Sequence, residues 1–114
     1  LLRQAWADFF KEHDVLLCPA APTVAVPHDP QRAWHERRIV IKGKSTSPAD
    51  PTFWGGFFTV AYLPATVAPA GLSKSGLPVG VQIVGPAYGD NTCIAVAQRL
   101  EREFQGFIPP KGWE

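Results

Sequence analysis

Six prolines stand between Pro19 and Pro51 (Pro19, Pro22, Pro27, Pro30, Pro48 and Pro51), and they set the strongest limit on what this chain can fold into. Each removes a backbone donor and fixes φ, so neither a continuous helix nor a central strand can run through the stretch. Inside it, Ile39-Val40-Ile41 is the only compact β-branched run, flanked by Arg37, Arg38, Lys42 and Lys44. That run reads as a minor strand or an extended loop. Regular elements must lie on either side, and irregular segments of this length are often functional.

The flanks carry clear periodicity. Leu2, Trp6, Phe9 and His13 fall at i, i+4, i+7 and i+11, which predicts a helix over Leu2–His13, with His13 at its negative end. Val15-Leu16-Leu17-Cys18 is an unbroken apolar run ended by Pro19, the pattern of a strand buried on both faces. Asp50-Pro51 is a helix-start signal, and Phe53, Trp54, Phe57, Phe58 and Ala61 spread apolar surface over the helix that follows. Gly55 and Gly56 each weaken that helix by about 1 kcal/mol relative to Ala, which predicts a close packing partner. Two strands are expected at 65–69 and 79–84, joined by a turn-rich connector. Gly80 predicts close approach to one face of the second strand. Cys93, Ala97, Leu100 and Phe104 mark a last helix, capped by Asp90 or Asn91 and stopped by Gly106.

Composition narrows the class. The chain has 114 residues, 46% of them apolar and 18% charged, which excludes a disordered polymer. A single domain of this mass would expose about 6,000 Å² when folded. The net charge of +1 gives no footprint for nucleic acid or an anionic membrane, and no apolar run is long enough to span a bilayer. Two cysteines are too few for a disulfide scaffold, so a cytoplasmic setting is expected. There is no methionine, and the first residues read as the middle of a helix; the expectation is a piece of a longer protein.

Self-contained chemistry finds little support in the residues. The Gly-Lys-Ser triplet at 43–45 lacks the earlier glycine of a phosphate-binding loop, since position 38 is arginine. His13, His28 and His35 have no metal-ligand spacing, so no metal site is expected. Ser45, Ser47, Ser73 and Ser75 all lie in polar turns, where neighbouring lysines are poor bases. A small hydrolase using Ser45 or Ser73 is the least supported reading, and a non-catalytic structural or interaction module is a second.

Three segments point further. Residues 14–25 (Asp-Val-Leu-Leu-Cys-Pro-Ala-Ala-Pro-Thr-Val-Ala), 58–71 (ending Leu-Pro-Ala-Thr-Val-Ala-Pro-Ala-Gly) and 76–86 (Gly-Leu-Pro-Val-Gly-Val-Gln-Ile-Val-Gly-Pro) resemble, in order, the C-terminal end of the amidase signature family. The resemblance implies an α/β fold: the C-terminal part of a mixed α/β/α sheet, with about three strands and flanking helices. Where many members carry Asn and Gly ahead of the Pro-Ala strand, this chain has Thr59 and Tyr62. The family's catalytic serines and lysine belong to a region upstream of this segment, and no residue here matches them.

The resemblance therefore implies an amide hydrolase acting through a serine acyl-enzyme, with no metal or organic cofactor and with residues 1–114 giving strands and pocket wall. Pro22, Thr23, Phe57, Thr59 and Tyr62 are the expected substrate-contacting residues, selecting an apolar amide by shape. Expected partners are the remainder of the parent chain and a small-molecule amide, with self-association through exposed strand edges. A segment of an aminoacyl-tRNA amidotransferase A-type subunit is the related alternative.

Overall fold

A computed structural model describes residues 1–113. Helix α1 (Leu2–Phe9) leads into strand β1 (Leu16–Pro19). The proline-rich stretch holds a short 3-10 turn (Trp34–Glu36) and a hairpin of β2 (Ile39–Ile41) and β3 (Lys44–Thr46). A second 3-10 turn (Asp50–Thr52) runs into α2 (Phe53–Thr59), followed by β4 (Ala65–Leu72), β5 (Pro78–Val84) and α3 (Asp90–Glu103). The main sheet has the order β1-β5-β4, antiparallel throughout, and β2-β3 stands apart as a two-stranded ribbon.

The prolines explain which strand is central. Pro69 lies in β4 and Pro19 at the end of β1, both edge strands, while Pro78 opens β5. A central strand needs its amides on both sides, and β5 has no proline after its first residue. The apolar run Val15–Cys18 predicts burial on both faces. Instead β1 is an edge strand, and Leu17 is half exposed because α3 packs over β4 and β5 and stops short of it. The connector 73–77 is closed by Ser73 N–H to Leu77 O and Gly76 N–H to Ser73 O, with Gly76 at φ +79°. A bulge between Pro69 and Gly71 re-aims the end of β4.

Both faces of β5 are engaged. Ile83 and Val81 meet Ala68 and α3 through Cys93, Val96, Ala97 and Leu100. On the opposite face Cys18, Gln82 and Val67 form one cross-strand row. Gln82 is buried, and its side-chain amide donates to the Trp54 carbonyl at 3.3 Å and to the Cys18 sulfur at 3.6 Å, tying α2 to the sheet. Gly80 is bare for a visible reason: a Cβ there would lie 2.6 Å from Val67 Cγ1.

Helix ends depart from the sequence expectations. α1 stops at Phe9, and two i→i−3 bonds (Lys11 to Asp8, Glu12 to Phe9) tighten the chain into a turn. His13 lies beyond the helix and packs its ring on Phe9, centroids 4.5 Å apart. Gly89, rather than Asp90 or Asn91, is the N-cap of α3; Asp90 opens the first turn, where its charge suits the helix dipole. Phe104 falls outside α3 and is exposed. Gly55 and Gly56 have open space where a Cβ would go, so no described residue packs close to them.

The chain after α2 closes with Tyr62 N–H to Thr59 O and Leu63 N–H to Phe58 O, the paired bonds of a Schellman turn. Tyr62 occupies its left-handed position at φ +57°, where glycine is the usual residue and a tyrosine is strained by about 1–2 kcal/mol. Arg3 of α1 lies over the Tyr62 ring at 5.4 Å, a cation–π contact that offsets part of that strain.

The described residues expose 8605 Å², about 40% more than the expectation for a stand-alone domain of this mass. The radius of gyration is 16.3 Å against about 13 Å for a compact chain of this length. The excess lies in faces and edges that no described residue covers.

Gly85 is a tight joint between β5 and α3. Its N–H donates to Pro64 O at 3.0 Å, and a Cβ there would meet Cys93 Sγ at 2.6 Å and Gly89 O at 3.3 Å. Gly85→Ala should therefore destabilise the protein by about 1–3 kcal/mol through overpacking. Urea denaturation measures this, and Gly55→Ala, with open space at the new methyl, serves as the control that should not destabilise.

Candidate functional site

The irregular stretch after β1 builds the concave surface. Three clefts share the loop at 20–29 as a common wall. The largest, about 1040 Å³, lies between that loop, the Trp34–Glu36 turn and β2. A second, about 590 Å³, lies between Pro22, the β2-β3 turn and Phe53-Trp54. The third, about 370 Å³, runs from the loop to Pro78, Val79 and Gly80 at the start of β5. The β2-β3 turn itself is Lys42-Gly43 with both residues at positive φ (+50° and +76°), a two-residue hairpin connection of the primed type. The Gly-Lys-Ser triplet is thus one side of a hairpin.

Sequence-predicted site residues divide between two places. Pro22 borders the second and third clefts, and Thr23 borders the first and third. Phe57, Thr59 and Tyr62 lie on α2 and its closing turn, away from these three clefts. Phe57 packs on Phe53 and Phe58 and edge-on to Trp6 of α1. Thr59 Oγ1 donates to Gly55 O at 3.1 Å, and Tyr62 is exposed beneath Arg3. The structure brings Pro22 and Thr23 together and places Phe57 and Tyr62 against α1, with Thr59 exposed on α2.

Trp34, Arg37 and Arg38, which the sequence pattern does not single out as site candidates, also line the largest cleft, and Phe53 and Trp54, aromatics that the sequence leaves open as core or pocket wall, line the second. The available signal for the two arginines is their place beside the β-branched run 39–41. Ser73 and Ser75 have turn roles, with Ser73 Oγ accepting from Leu77 N–H at 3.1 Å and contacting Ser75 Oγ at 2.9 Å, whereas Ser45 lies not in a turn but in β3, opposite Val40. Among the described residues no group of three or more His, Cys, Asp or Glu is placed to hold a metal ion, and no helix is long and apolar enough to cross a membrane.

The family model for amidases matches residues 1–94. The chain belongs to the amidase family. Human fatty-acid amide hydrolase 2 is 34% identical over 109 residues, covering 96% of this chain and 18% of that protein. The A-type subunit of glutamyl-tRNA(Gln) amidotransferase from Wolinella succinogenes is 35% identical over 106 residues, covering 90% of this chain and 20% of that protein. A solved bacterial aryl acylamidase of the amidase signature family superposes with a TM-score of 0.71 at 24% identity, over 91% of this chain and 22% of that one. The chain thus spans about a fifth of the length of these relatives, and its α/β arrangement matches that of the acylamidase over the superposed span.

Both cysteines of this amidase segment are free thiols. Burial pushes the Cys18 thiol above the usual range, with the Gln82 hydrogen bond pulling the other way. Burial also raises Cys93, and the Asp90 carboxylate adds to it. A thiol whose pKa is raised by folding stabilises the fold below its unfolded value, and that contribution disappears as pH rises through the folded value. Stability in urea should accordingly fall as pH is taken above about 8.5. The slope should be shallower in a Cys18→Ser/Cys93→Ala variant, whatever its absolute stability; equal slopes would contradict the assignment.

Proposed function

We propose that these residues form the sheet-and-wall portion of an enzyme that cleaves carboxamide C–N bonds, with the bond-breaking groups supplied by another part of the parent protein. The observation that carries this reading is the amidase match across 1–94 on a three-stranded sheet whose two outer edges have no strand partner among the described residues. Such edges, with half-exposed Leu17 and Val67 beside them, suit continuation of the sheet by further strands of the parent. In the isolated segment the same edges would favour self-association.

The chemistry follows from the family resemblance. A serine of the parent attacks the amide carbon, a second serine relays its proton to a lysine, and backbone N–H groups hold the oxyanion. The amine leaves, and water releases the acid from the acyl-enzyme. In this scheme residues 1–114 touch substrate without touching the reacting atoms. Pro22, Thr23, Phe57, Thr59 and Tyr62 are the proposed substrate wall. The two free thiols suit a reducing cytoplasm. A second reading, a segment of an amidotransferase A-type subunit, is favoured by the likeness to the Wolinella protein.

A serine-reactive fluorophosphonate tests the division of labour. The isolated 114 residues should remain unlabelled, whereas labelling of Ser45 or Ser73 would overturn the reading. In the full-length protein, Tyr62→Gly should shift relative kcat/KM between bulky and small amides severalfold. An unchanged substrate profile would remove Tyr62 from the wall.

A further inference from the structure

Charge is distributed unevenly along this chain. Between Arg32 and Lys44 five basic side chains stand against one carboxylate, Glu36, although the whole chain carries only +1. Two of the five, Arg37 and Arg38, line the largest cleft. Its remaining wall is mainly apolar, including Val24, Val26, Pro27 and Ile39, with the Trp34 ring at the same surface.

The two guanidinium groups are held by backbone and left without a counter-charge. Arg37 is half-buried, and its Nε donates to Arg32 O at 3.0 Å. Arg38 donates from Nη1 to Arg37 O at 2.8 Å and His35 O at 3.2 Å. Neither forms an ion pair among the described residues. The one carboxylate in the cleft, Asp29, is engaged by Arg32 at 3.5 Å. Backbone carbonyls fix each planar group while leaving part of its donor fork unused, and such a fork matches a carboxylate in two parallel hydrogen bonds. A cleft of about 1040 Å³ is ample for a drug-sized molecule.

We propose that this cleft binds a small apolar carboxylate, with Arg37 and Arg38 as its counter-charges and Trp34 with the Val24–Pro27 wall against its hydrocarbon part. Resting on the amide-hydrolase reading, the proposal narrows the substrate class to amides whose acyl or amine side carries an acidic end. The apolar wall supplies affinity and the arginine pair supplies selection, since a neutral analogue offers the two guanidinium forks no counter-charge.

The test uses the full-length protein and two matched probes, 4-phenylbutyrate and 4-phenylbutanol, titrated by calorimetry. The carboxylate should bind at least tenfold more tightly at low salt. That preference should shrink severalfold in 0.5 M NaCl and disappear in Arg37→Gln/Arg38→Gln, while Arg102→Gln on α3 retains it. Equal affinity of the two probes, or a preference unchanged in the double variant, would overturn the proposal. Because these arginines also tie the loop together, the salt titration of the unmodified protein stands as the measurement independent of folding, and a salt-insensitive preference would reject it. Turnover is read separately. Amide cleavage with no carboxylate preference removes the anion site and leaves the amidase reading intact. Carboxylate preference without amide cleavage does the reverse.

Discussion

Strand β5 is the constraint on which the rest of the structure depends. It is hydrogen-bonded on both sides, to β1 and to β4, and it presents different chemistry to each face. Ile83 is sealed beneath α3, and Gln82 is buried on the other side with its amide on Trp54 O. A buried amide must find partners, so Gln82 holds α2 at one height over the sheet. Glycine at 85 then lets Cys93 approach the chain directly after β5, which sets how closely α3 packs. The segment 76–86 thus combines a strand, a buried polar link and a close helix contact within one short run.

From that spine the irregular region derives its position. The loop at 20–29 starts where β1 leaves the sheet at Pro19, and the hairpin β2-β3 lies on the far side of the clefts it borders. Proline keeps the loop from pairing, so its carbonyls and side chains remain free to line cavities. The concave surface is a consequence of sequence that cannot join a sheet, anchored to sequence that must.

Much of this order is legible in the residues alone. Strand β5, the site of β4, the terminal helix and the family likeness follow from alternation, turn residues and the 76–86 motif, all of which act within a few residues. The bare Gly80 and the proline-marked limits of the strands are readable for the same reason. β1 misleads because four consecutive apolar residues look alike whether a strand has two neighbours or one; here it has one, and Leu17 is half exposed. The periodicity overstates the extent of α1 because Phe10 and His13 continue an apolar stripe after the backbone has already turned at Lys11 and Glu12. Tyr62 shows the opposite case. The family resemblance marks it as a replacement for glycine, and the backbone shows why glycine is usual there: φ is +57°.

The sequence by itself determined the places of α1, β1, α2, β4, β5 and α3, and the family they belong to, because backbone donors, φ limits and side-chain periodicity are local properties, whereas the pairing of β2 with β3 was not legible there. Only the tertiary structure decided which residues share a cavity. Pro22 and Thr23 meet β2, the Trp34 turn and the β5 entrance there, while Phe57 and Tyr62 face α1 and Thr59 is bonded back to its own helix. The physical reason is that a cleft joins segments about ten to sixty residues apart, and their meeting depends on strand order and on buried links such as Gln82 to Trp54, which no local pattern encodes.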